Sequence, residues 1–390
     1  MKEKTTLCIF IDAYGTEIYK KHPILKKHLP VSRSLKTVMG FSSASDPSIL
    51  TGLYPEDHGH WSCFYYDQKN SPFKLLSYLN FLPAFIFNRG RVRGWISKLL
   101  AKLYGFTGYF QIYNIPFGQL KYFDYNEKYD YFATGGIIKG NTIFEGFVKN
   151  KVPYHLSNWK QSEEANLQAI KKSLKEEHNI FNYLYLPNLD AVMHEFGTEH
   201  DETKAKLKWL EKNIEEVIEV AKSEYKEVDL YLISDHGMTD IKSEYNLIPE
   251  IEALGYEFGK DYVAIYDSTM ARFWTFNQEV EGAIKDQLKD STKGHLLSDQ
   301  ELKDNKVYFG DKYGNIIFLL KNSILLNPSS MGNTSMLGMH GYHPDEKDAN
   351  AVMLSNKVLP EQLKCITDIR EVLEESVGTK CADYTEKIAA

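Results

Sequence analysis

The sequence lacks several features that mark particular classes of protein. It has no run of about 18 consecutive apolar residues, so no membrane-spanning helix is expected. No apolar leader precedes the first strand-like run, LCIFID (7–12), so we expect no signal peptide. Only four of the 390 residues are cysteines, and their spacing matches neither a zinc knuckle nor a disulfide framework. We therefore expect reduced thiols and a cytoplasmic location.

Acidic residues are absent from residues 68–123, although the whole chain has 53 of them. The same segment is rich in Lys, Arg and aromatic residues, and we interpret 68–140 as a basic, aromatic cap insertion. Two interpretations stay open. The segment could be a lid that binds an anionic or lipid-linked substrate, or that makes peripheral contact with an anionic membrane through 68–123. Alternatively, its aromatic residues pack against the main domain and its basic residues are solvated.

The remaining composition is that of a folded, mildly acidic protein. Hydrophobic residues make up 43% of the chain and the net charge is −7, which argues against disorder and against general nucleic-acid binding. The length fits one large α/β domain, and we predict a single catalytic domain over 1–390. The composition does not indicate the oligomeric state.

Strand-like runs alternate with helical patterns along most of the chain. The strand-like runs are LCIFID (7–12), NYLYLPNLD (182–190) and VDLYLISDHG (228–237), and the helical patterns cover 46–54, 141–151, 163–178 and 201–225. This alternation predicts an α/β fold with a central, mostly parallel sheet and helices on both faces. Residues 245–335 differ, because the strand-like pieces VAIY, RFWTF, KVYFG and NIIFLL follow one another there. We predict a small α+β lobe inserted at 245–335.

Carboxylate and imidazole side chains follow the predicted strands, where ligands of parallel sheets collect. Asp190 and His194 would share one side of a helix at i and i+4, and His340 lies in a glycine-flanked loop. This mixture suits zinc, with manganese as the alternative, and a hydroxyl among the ligands indicates a nucleophile that a metal activates. The predicted two-metal site consists of Asp12, Ser42, Asp190, His194, Asp235, His236 and His340.

Ser42, Ser43 and Ser45 precede the predicted helix, whose N-terminus would favour an anion. One of the nearby polar side chains should cap that helix, and Ser45 or Asp46 fits this role better than Ser42. Pro47 would then lie in the first turn. His343, near His340, is expected to be structural.

The segments MGFSSASDPSILTGLYPEDHG (39–59), LPNLDAVMHEFG (186–197), SDHGM (234–238) and GMHGYHP (338–344) occur in this order. In motif and order the chain resembles the alkaline phosphatase superfamily, and within it the nucleotide pyrophosphatase/phosphodiesterase branch. The resemblance implies an alkaline phosphatase-like sandwich fold. It also implies that Asp190, His194 and His340 hold one metal, whereas Asp12, Asp235, His236 and the Ser42 oxygen hold the other.

Ser42 takes the position of the nucleophile in this resemblance, so its attack on phosphorus would give a covalent phosphoseryl-type intermediate that water then hydrolyses. Three residues depart from the family pattern. Ser42 stands where the diesterase branch usually has Thr, Ala13 stands where Gly is usual, and Cys63 replaces an Asn that contacts a phosphoryl oxygen. We expect the Ala13 change to be minor. Arg89, Arg91 or Arg93 could supply the donor that Cys63 lacks.

The first functional hypothesis is a metal-dependent hydrolase of phosphoric esters, most similar to phosphodiesterases and nucleotide pyrophosphatases, with a nucleotide or lipid-linked phosphoester as substrate. A phosphomonoesterase or phosphoryl mutase on the same site is the second hypothesis, because Ser is the monoesterase nucleophile. A metal-bound but catalytically weak binding protein is the third, because of Cys63. The sulfatase branch is not favoured, since the Ser42 segment lacks the Pro and Arg of the sulfatase motif.

Overall fold

The computed structural model describes residues 1–79 and 89–379, so part of the predicted cap, 80–88, lies outside the described residues. The helices are α1 (Thr16–Lys21), α2 (Ser42–Thr51), α3 (Pro55–His58), α4 (Gly90–Tyr104), α5 (Phe117–Leu120), α6 (Ile143–Lys149), α7 (Glu163–Glu176), α8 (Asn188–Phe196), α9 (Asp201–Glu224), α10 (Ile248–Glu252), α11 (Gln278–Leu288), α12 (Asp299–Asp304) and α13 (Ile369–Ser376). Short 3₁₀ turns cover Lys74–Leu79, Lys347–Ala349 and Ile366–Asp368.

The strands are β1 (Lys2–Ile11), β2 (Val31–Leu35), β3 (Phe64–Tyr66), β4 (Phe123–Tyr125), β5 (Tyr154–Leu156), β6 (Phe181–Leu186), β7 (Tyr225–Ile233), β8 (Thr239–Asp240), β9 (Ser243–Tyr245), β10 (Tyr262–Tyr266), β11 (Met270–Thr275), β12 (Gly294–Leu296), β13 (Ile316–Leu320), β14 (Ile324–Leu326), β15 (Gly338–Met339) and β16 (Ala351–Ser355).

A six-stranded sheet in the order β2-β16-β7-β1-β6-β5 is central to the fold. The pairs β7–β1, β1–β6 and β6–β5 are parallel, whereas β16 runs antiparallel to β2 and β7. The prediction of a mostly parallel α/β sheet is therefore confirmed.

Both faces of this sheet are buried, because alternate side chains of β1 enter two different cores. Cys8 and Phe10 belong to a core that includes residues of α2, α6 and α13. Leu7, Ile9 and Ile11 belong to the opposite core, which includes residues of α7, α8 and α9. Helices therefore cover both faces, as predicted, and the strand ends form the accessible edge.

A separate four-stranded antiparallel sheet, in the order β10-β11-β13-β12, lies within the segment predicted as a lobe. The predicted strand KVYFG (306–310) does not form; the fourth strand is β12 instead. Phe309 packs its ring against Trp61 and Tyr313, at centroid distances of 6.2 and 4.8 Å. This aromatic packing explains why 306–310 is apolar although it pairs with no strand of the sheet.

The cap packs mainly on this second sheet. Its buried Phe73, Phe110 and Phe123 share a core with Val263 and Trp274 of the lobe. The expectation that the cap's aromatic residues pack against the main domain holds for its end, where Phe132 contacts Tyr183 and Tyr185 of β6, whereas the aromatic residues of the acid-free segment pack mainly on the lobe. The lobe sheet has an apolar face of its own, since β10 and β11 are buried on both sides. None of the helices in the described ranges is long and apolar enough to cross a membrane.

Helix α2 begins at Ser42, four residues before the predicted start, and Pro47 lies inside it. The N-cap residue is Phe41, and no side chain caps the helix, so the prediction that Ser45 or Asp46 is the cap was wrong. Pro47 removes the amide that would otherwise bond the carbonyl of Ser43. The hydroxyl of Tyr131 lies 3.5 Å from that carbonyl oxygen and donates to it. An outside donor thus compensates the interior proline.

Candidate two-metal active site

Three neighbouring parallel strands deliver carboxylates to one edge of the central sheet. Asp12 follows β1 directly, Asp235 lies two residues after β7, and Asp190 is the third residue of α8, which follows β6. Because β7, β1 and β6 are adjacent and parallel, their carboxyl ends meet. The side chains of Asp12 and Asp235 are almost completely buried.

One group of ligand-type side chains consists of Asp190, His194 and His340, which offer atoms within 4.8 Å of one another. His194 Nε2 lies 3.2 Å from Asp190 Oδ2, and His340 Nε2 lies 3.5 Å from Asp190 Oδ1. His194 Nδ1 is 2.8 Å from the carbonyl oxygen of Gly338 and donates to it in the tautomer that leaves Nε2 as the metal-binding atom. The i and i+4 spacing on α8 brings the aspartate and histidine together, as predicted.

The second group consists of Asp12, Asp235 and His236, again within 4.8 Å of one another. His236 Nε2 lies 2.9 Å from Asp235 Oδ2 and 3.7 Å from Asp12 Oδ1. Ser42 Oγ is 3.2 Å from the same His236 nitrogen. The rings of His236 and His340 stack at 3.8 Å, so the two groups adjoin one another. The structure therefore brings all seven predicted residues into one site.

Several buried ligand-type atoms of this site have no hydrogen-bond partner among the described residues: Asp12 Oδ1, Asp190 Oδ1 and His340 Nδ1. Buried polar atoms normally find a partner, so three such atoms shared between the two clusters are what a cation-binding site would leave. The donor set, which mixes carboxylate oxygen and imidazole nitrogen, is one that zinc and manganese accept. The residues therefore fit two divalent cations.

The electrostatics of the site lead to the same conclusion. Burial, followed by the charges of Asp235 and Asp190, raises the pKa of Asp12 well above its usual range. Burial opposes protonation of His236, but the charge of Asp235 and its hydrogen bond raise the pKa of His236 to about 9. Burial and the neighbouring imidazoles lower the pKa of His340. Mutually repelling carboxylates in a buried site are stabilised by cations.

Glycines permit the close backbone approach around these ligands. A Cβ on Gly237 would lie 2.1 Å from the carbonyl oxygen of Asp348, and one on Gly338 would lie 2.4 Å from that of Met193. Ala13 is different: it adopts φ 60° in the left-handed region that favours glycine, and its amide donates to Asp235 Oδ1 at 3.2 Å. The Ala13 change is therefore not minor for the backbone, because a residue in a strained conformation donates to a carboxylate of the second group.

Sequence reasoning missed the residues that hold the Ser42 segment in place. In the motif DHGHW (57–61), His58 Nε2 lies 3.0 Å from Ser48 Oγ, and His60 Nε2 accepts the amide of Ile138 at 2.9 Å. Ser43 Oγ donates to the carbonyl of Trp61 at 3.0 Å. The signal in the sequence that could have identified these residues is the pair of histidines in DHGHW, directly after the predicted helix. His343 lies outside both ligand groups, near Asn305 and Glu301.

Cys63 occupies a buried position beside a carboxylic acid. Its thiol donates to Glu127 Oε1 at 3.1 Å, and burial followed by the charge of Glu127 raises the thiol pKa well above its usual range. Burial likewise raises the pKa of Glu127 to about 7, with the Cys63 hydrogen bond acting in the opposite direction. Cys63 is therefore a neutral thiol engaged with Glu127, in place of the amide donor that the diesterase branch has there.

A cavity of about 590 Å³ opens above Ser42. Its aromatic lining residues are Phe41, Tyr109, Tyr113, Tyr129, Tyr131, Phe132, Trp159 and Tyr185. Met331, Met336 and Met339 line it as well, and Asp46, Cys63, Glu127 and Asp130 add polar groups. Tyr109 and Tyr113 come from the acid-free segment, so the cap does form part of the wall.

No arginine lines the described part of this cavity. Arg93 is engaged behind the wall residue Tyr113: its guanidinium donates to the carbonyls of Tyr113 and Ile115 at 2.7 and 2.8 Å. Arg89 and Arg91 are exposed. The prediction that one of these arginines replaces the missing amide donor was therefore wrong, because the backbone of 113–115 engages the buried one.

The family model for type I phosphodiesterase / nucleotide pyrophosphatase matches residues 39–343, which includes six of the seven site residues. The chain belongs to this family. It is thus a member of the nucleotide pyrophosphatase/phosphodiesterase branch of the alkaline phosphatase superfamily, as the motifs indicated. No curated protein matches the chain by sequence.

Solved structures of this branch share the fold at low identity. Human ectonucleotide pyrophosphatase/phosphodiesterase 5 has a TM-score of 0.68 at 13% identity, covering 100% of this chain and 98% of its own. The murine protein of the same name, in an inactive form in complex with AMP, has a TM-score of 0.65 at 14% identity, covering 98% of this chain and 96% of its own. The alkaline phosphatase-like architecture therefore extends over the whole chain.

Proposed function

We propose that this protein is a two-metal phosphodiesterase or nucleotide pyrophosphatase in which Ser42 is the nucleophile. The observation that carries the proposal is the position of Ser42 Oγ, 3.2 Å from His236 Nε2 and next to two carboxylate–imidazole groups with partnerless buried atoms. Two zinc ions, or manganese as the alternative, would occupy these groups. When bound, they lower the pKa of a serine hydroxyl and balance charge on attacking and leaving oxygens.

The protein's own residues supply the arrangement for attack. Ser42 begins α2 without a side-chain cap, so the amides of the first turn favour a phosphoryl oxygen near the hydroxyl. Ser43 anchors this turn, because its hydroxyl donates to the carbonyl of Trp61 and its carbonyl accepts from Tyr131, whose hydroxyl also lies 3.2 Å from His60 Nδ1. This support keeps the Ser42 hydroxyl in a reactive position. Bond formation from Ser42 Oγ to phosphorus, with loss of the leaving oxygen, gives a phosphoseryl-type intermediate that water hydrolyses.

The aromatic lining of the cavity supports a substrate with a planar group. Tyrosine and tryptophan side chains stack on bases, and the murine relative was solved with AMP. A nucleotide phosphodiester or pyrophosphate is therefore the proposed substrate class.

Paired assays with nitrophenyl monoester and nitrophenyl diester substrates test this function. Ser42→Ala should abolish turnover, by at least about a thousandfold, while bound zinc measured by atomic absorption stays the same. Ser45→Ala is the matched control and should keep most activity, because the Ser45 hydroxyl donates within the helix to the carbonyl of Phe41, at 3.4 Å. Ser43→Ala tests the alternative nucleophile and should keep measurable turnover, although it loses the hydrogen bond to Trp61 that holds the turn. Loss of turnover in the Ser43 variant with retention in the Ser42 variant would contradict the assignment. Preference for the monoester would favour the phosphomonoesterase or mutase alternative, which the serine nucleophile supports.

Cys63 favours the third candidate, a catalytically weak protein. Its thiol is a weak hydrogen-bond donor that already donates to Glu127, so it is a poor donor to a phosphoryl oxygen. Cys63→Asn should raise the diesterase kcat by about tenfold or more if a donor is missing. An unchanged kcat in a folded variant would show that another group already supplies this contact. The proposed cytoplasmic location stays a prediction.

A further inference from the structure

Helix α4 in the cap presents apolar side chains to the outside. Trp95, Leu99 and Leu103 follow one another at i, i+4 and i+8, and they are 78%, 66% and 67% exposed. Side chains at this spacing form one stripe along the helix. Large exposed apolar side chains in a continuous stripe indicate a surface that another apolar phase covers. These three residues are called the outer stripe of α4.

The opposite side of α4 fixes this orientation. Arg93 is buried, its guanidinium donates to the carbonyls of Tyr113 and Ile115, and it lies 4.9 Å from the centre of the Phe117 ring. Ser97 Oγ accepts the amide of Ile112 at 3.1 Å. The helix therefore buries Arg93, Ser97 and Leu100 while it exposes a tryptophan and two leucines. The hydrogen bonds of Arg93 and Ser97 fix this orientation, so the exposure of the outer stripe is built into the cap.

Basic residues flank the outer stripe. Arg91, Lys98 and Lys102 are exposed on the same helix, and none of them makes an ion pair with a described residue. The whole segment 68–123 has no acidic residue, although the net charge of the chain is −7. Tryptophan and leucine between basic side chains is the composition of helices that lie in the interface of an anionic bilayer.

We propose that the outer stripe of α4 binds the surface of an anionic membrane, with Trp95, Leu99 and Leu103 inserted between head groups and the flanking bases paired with lipid phosphates. The charge of the helix argues against a second copy of the chain as the occupant. Two outer stripes in contact would bring Arg91, Lys98 and Lys102 of each copy together, and like charges at close range repel. This binding is independent of the function proposed for Ser42.

Flotation of the full-length protein with vesicles tests the inference. Vesicles of phosphatidylcholine with 30% phosphatidylserine would be compared with pure phosphatidylcholine, at about 50 mM and 500 mM salt. The protein should float with the anionic vesicles at low salt and much less at high salt. Each basic residue near the surface should contribute about a fivefold gain in partitioning. Absence of flotation at low salt would overturn the proposal.

Two double variants distinguish binding through the outer stripe from binding through exposed apolar residues in general. Leu99→Ser with Leu103→Ser should reduce partitioning by about tenfold or more. Val148→Ser with Val358→Ser is the matched control, because these valines are 60% and 90% exposed on other parts of the molecule, and it should float like the wild type. Equal loss in both double variants would contradict the proposal.

Lys98→Glu with Lys102→Glu should abolish binding to anionic vesicles while the diesterase activity on a soluble substrate and the Tm remain unchanged. Light scattering of the protein without lipid measures its oligomeric state and so tests whether a second copy of the chain covers the outer stripe. A dimer that the Leu99 and Leu103 changes convert to a monomer would assign the outer stripe to self-association and overturn the membrane proposal.

Discussion

The buried imidazole of His58 should make the stability of this protein depend on pH. His58 is completely buried, accepts the amide of His60 at Nδ1 at 3.2 Å, and lies 3.0 Å from Ser48 Oγ. A proton on Nδ1 would face the amide proton of His60, and the charged ring would be desolvated. Burial accordingly lowers the pKa of His58 to about 3.

The sign of the effect follows from proton binding. Below pH 6.5 an unfolded His58 binds a proton that the folded one does not bind, so the free energy of unfolding falls as the pH falls. For a folded pKa of about 3, His58 alone should remove about 1 kcal/mol of stability at pH 5.5 and about 3 kcal/mol at pH 4.5. Above about pH 7.5 the unfolded imidazole is neutral as well, so His58 no longer contributes to the pH dependence.

Urea unfolding of metal-free protein between pH 4.5 and 7.5 measures this, with wild type compared to His58→Gln. The amide of Gln keeps hydrogen-bonding capacity but does not titrate. The variant should be less stable at pH 7.5, because the imidazole packing is lost, yet its stability should fall less steeply toward pH 4.5. His178→Gln, at an exposed position, is the control and should follow the wild-type curve. Parallel curves for wild type and His58→Gln would refute the reasoning.

Three further predictions concern backbone strain, the cations and a buried ion pair. Ala13→Gly should raise the stability of the metal-free protein by about 1 kcal/mol, because φ 60° costs an alanine more than a glycine; a lower Tm would contradict this. Removal of metal by a chelator should lower the Tm, and zinc at a thousand times its Kd should restore about 4 kcal/mol for each occupied site, whereas an unchanged Tm would speak against metal binding. Asp267→Asn should lower the free energy of unfolding in urea by about 3 kcal/mol. The Asp267 carboxylate lies 2.7 Å from Arg272, and its replacement by a neutral amide leaves the buried guanidinium charge unpaired; a loss below about 1 kcal/mol would contradict this.

The central sheet and the seven residues of the site were predictable because their signals are local. β1, β6 and β7 are apolar runs that end in an aspartate-bearing turn, and parallel strands bring such ends to one edge. The i and i+4 spacing of Asp190 and His194 fixed their relative position once α8 was assumed. These inferences needed only periodicity and strand order, whereas the two ligand groups and the role of Ser42 came from the resemblance to the family.

The support of Ser42 and the packing of the cap were not predictable in the same way. The start of α2 was placed too late because a proline was read as a first-turn residue. The hydroxyl of Tyr131 compensates Pro47 by donating to the carbonyl of Ser43, which is 88 residues away in sequence. Arg93 was one of three arginines considered as the donor that Cys63 lacks, because a guanidinium can bind phosphate with two hydrogen bonds. Its burial depends on the carbonyls of 113–115, and nothing local in the sequence indicates that partner.

The lobe is needed for the site although it contributes no ligand from its own sheet. His340 follows the lobe in sequence, and its loop is tied back by Thr269, whose hydroxyl donates to the carbonyl of Gly341 at 2.8 Å. The amide of Leu337 donates to the carbonyl of His194 at 2.9 Å, which joins the same loop to α8. A metal held by Asp190, His194 and His340 would therefore link the central sheet to the lobe. Because such a metal binds only the assembled form, its binding should stabilise the contact between the two sheets as well as the ligands themselves.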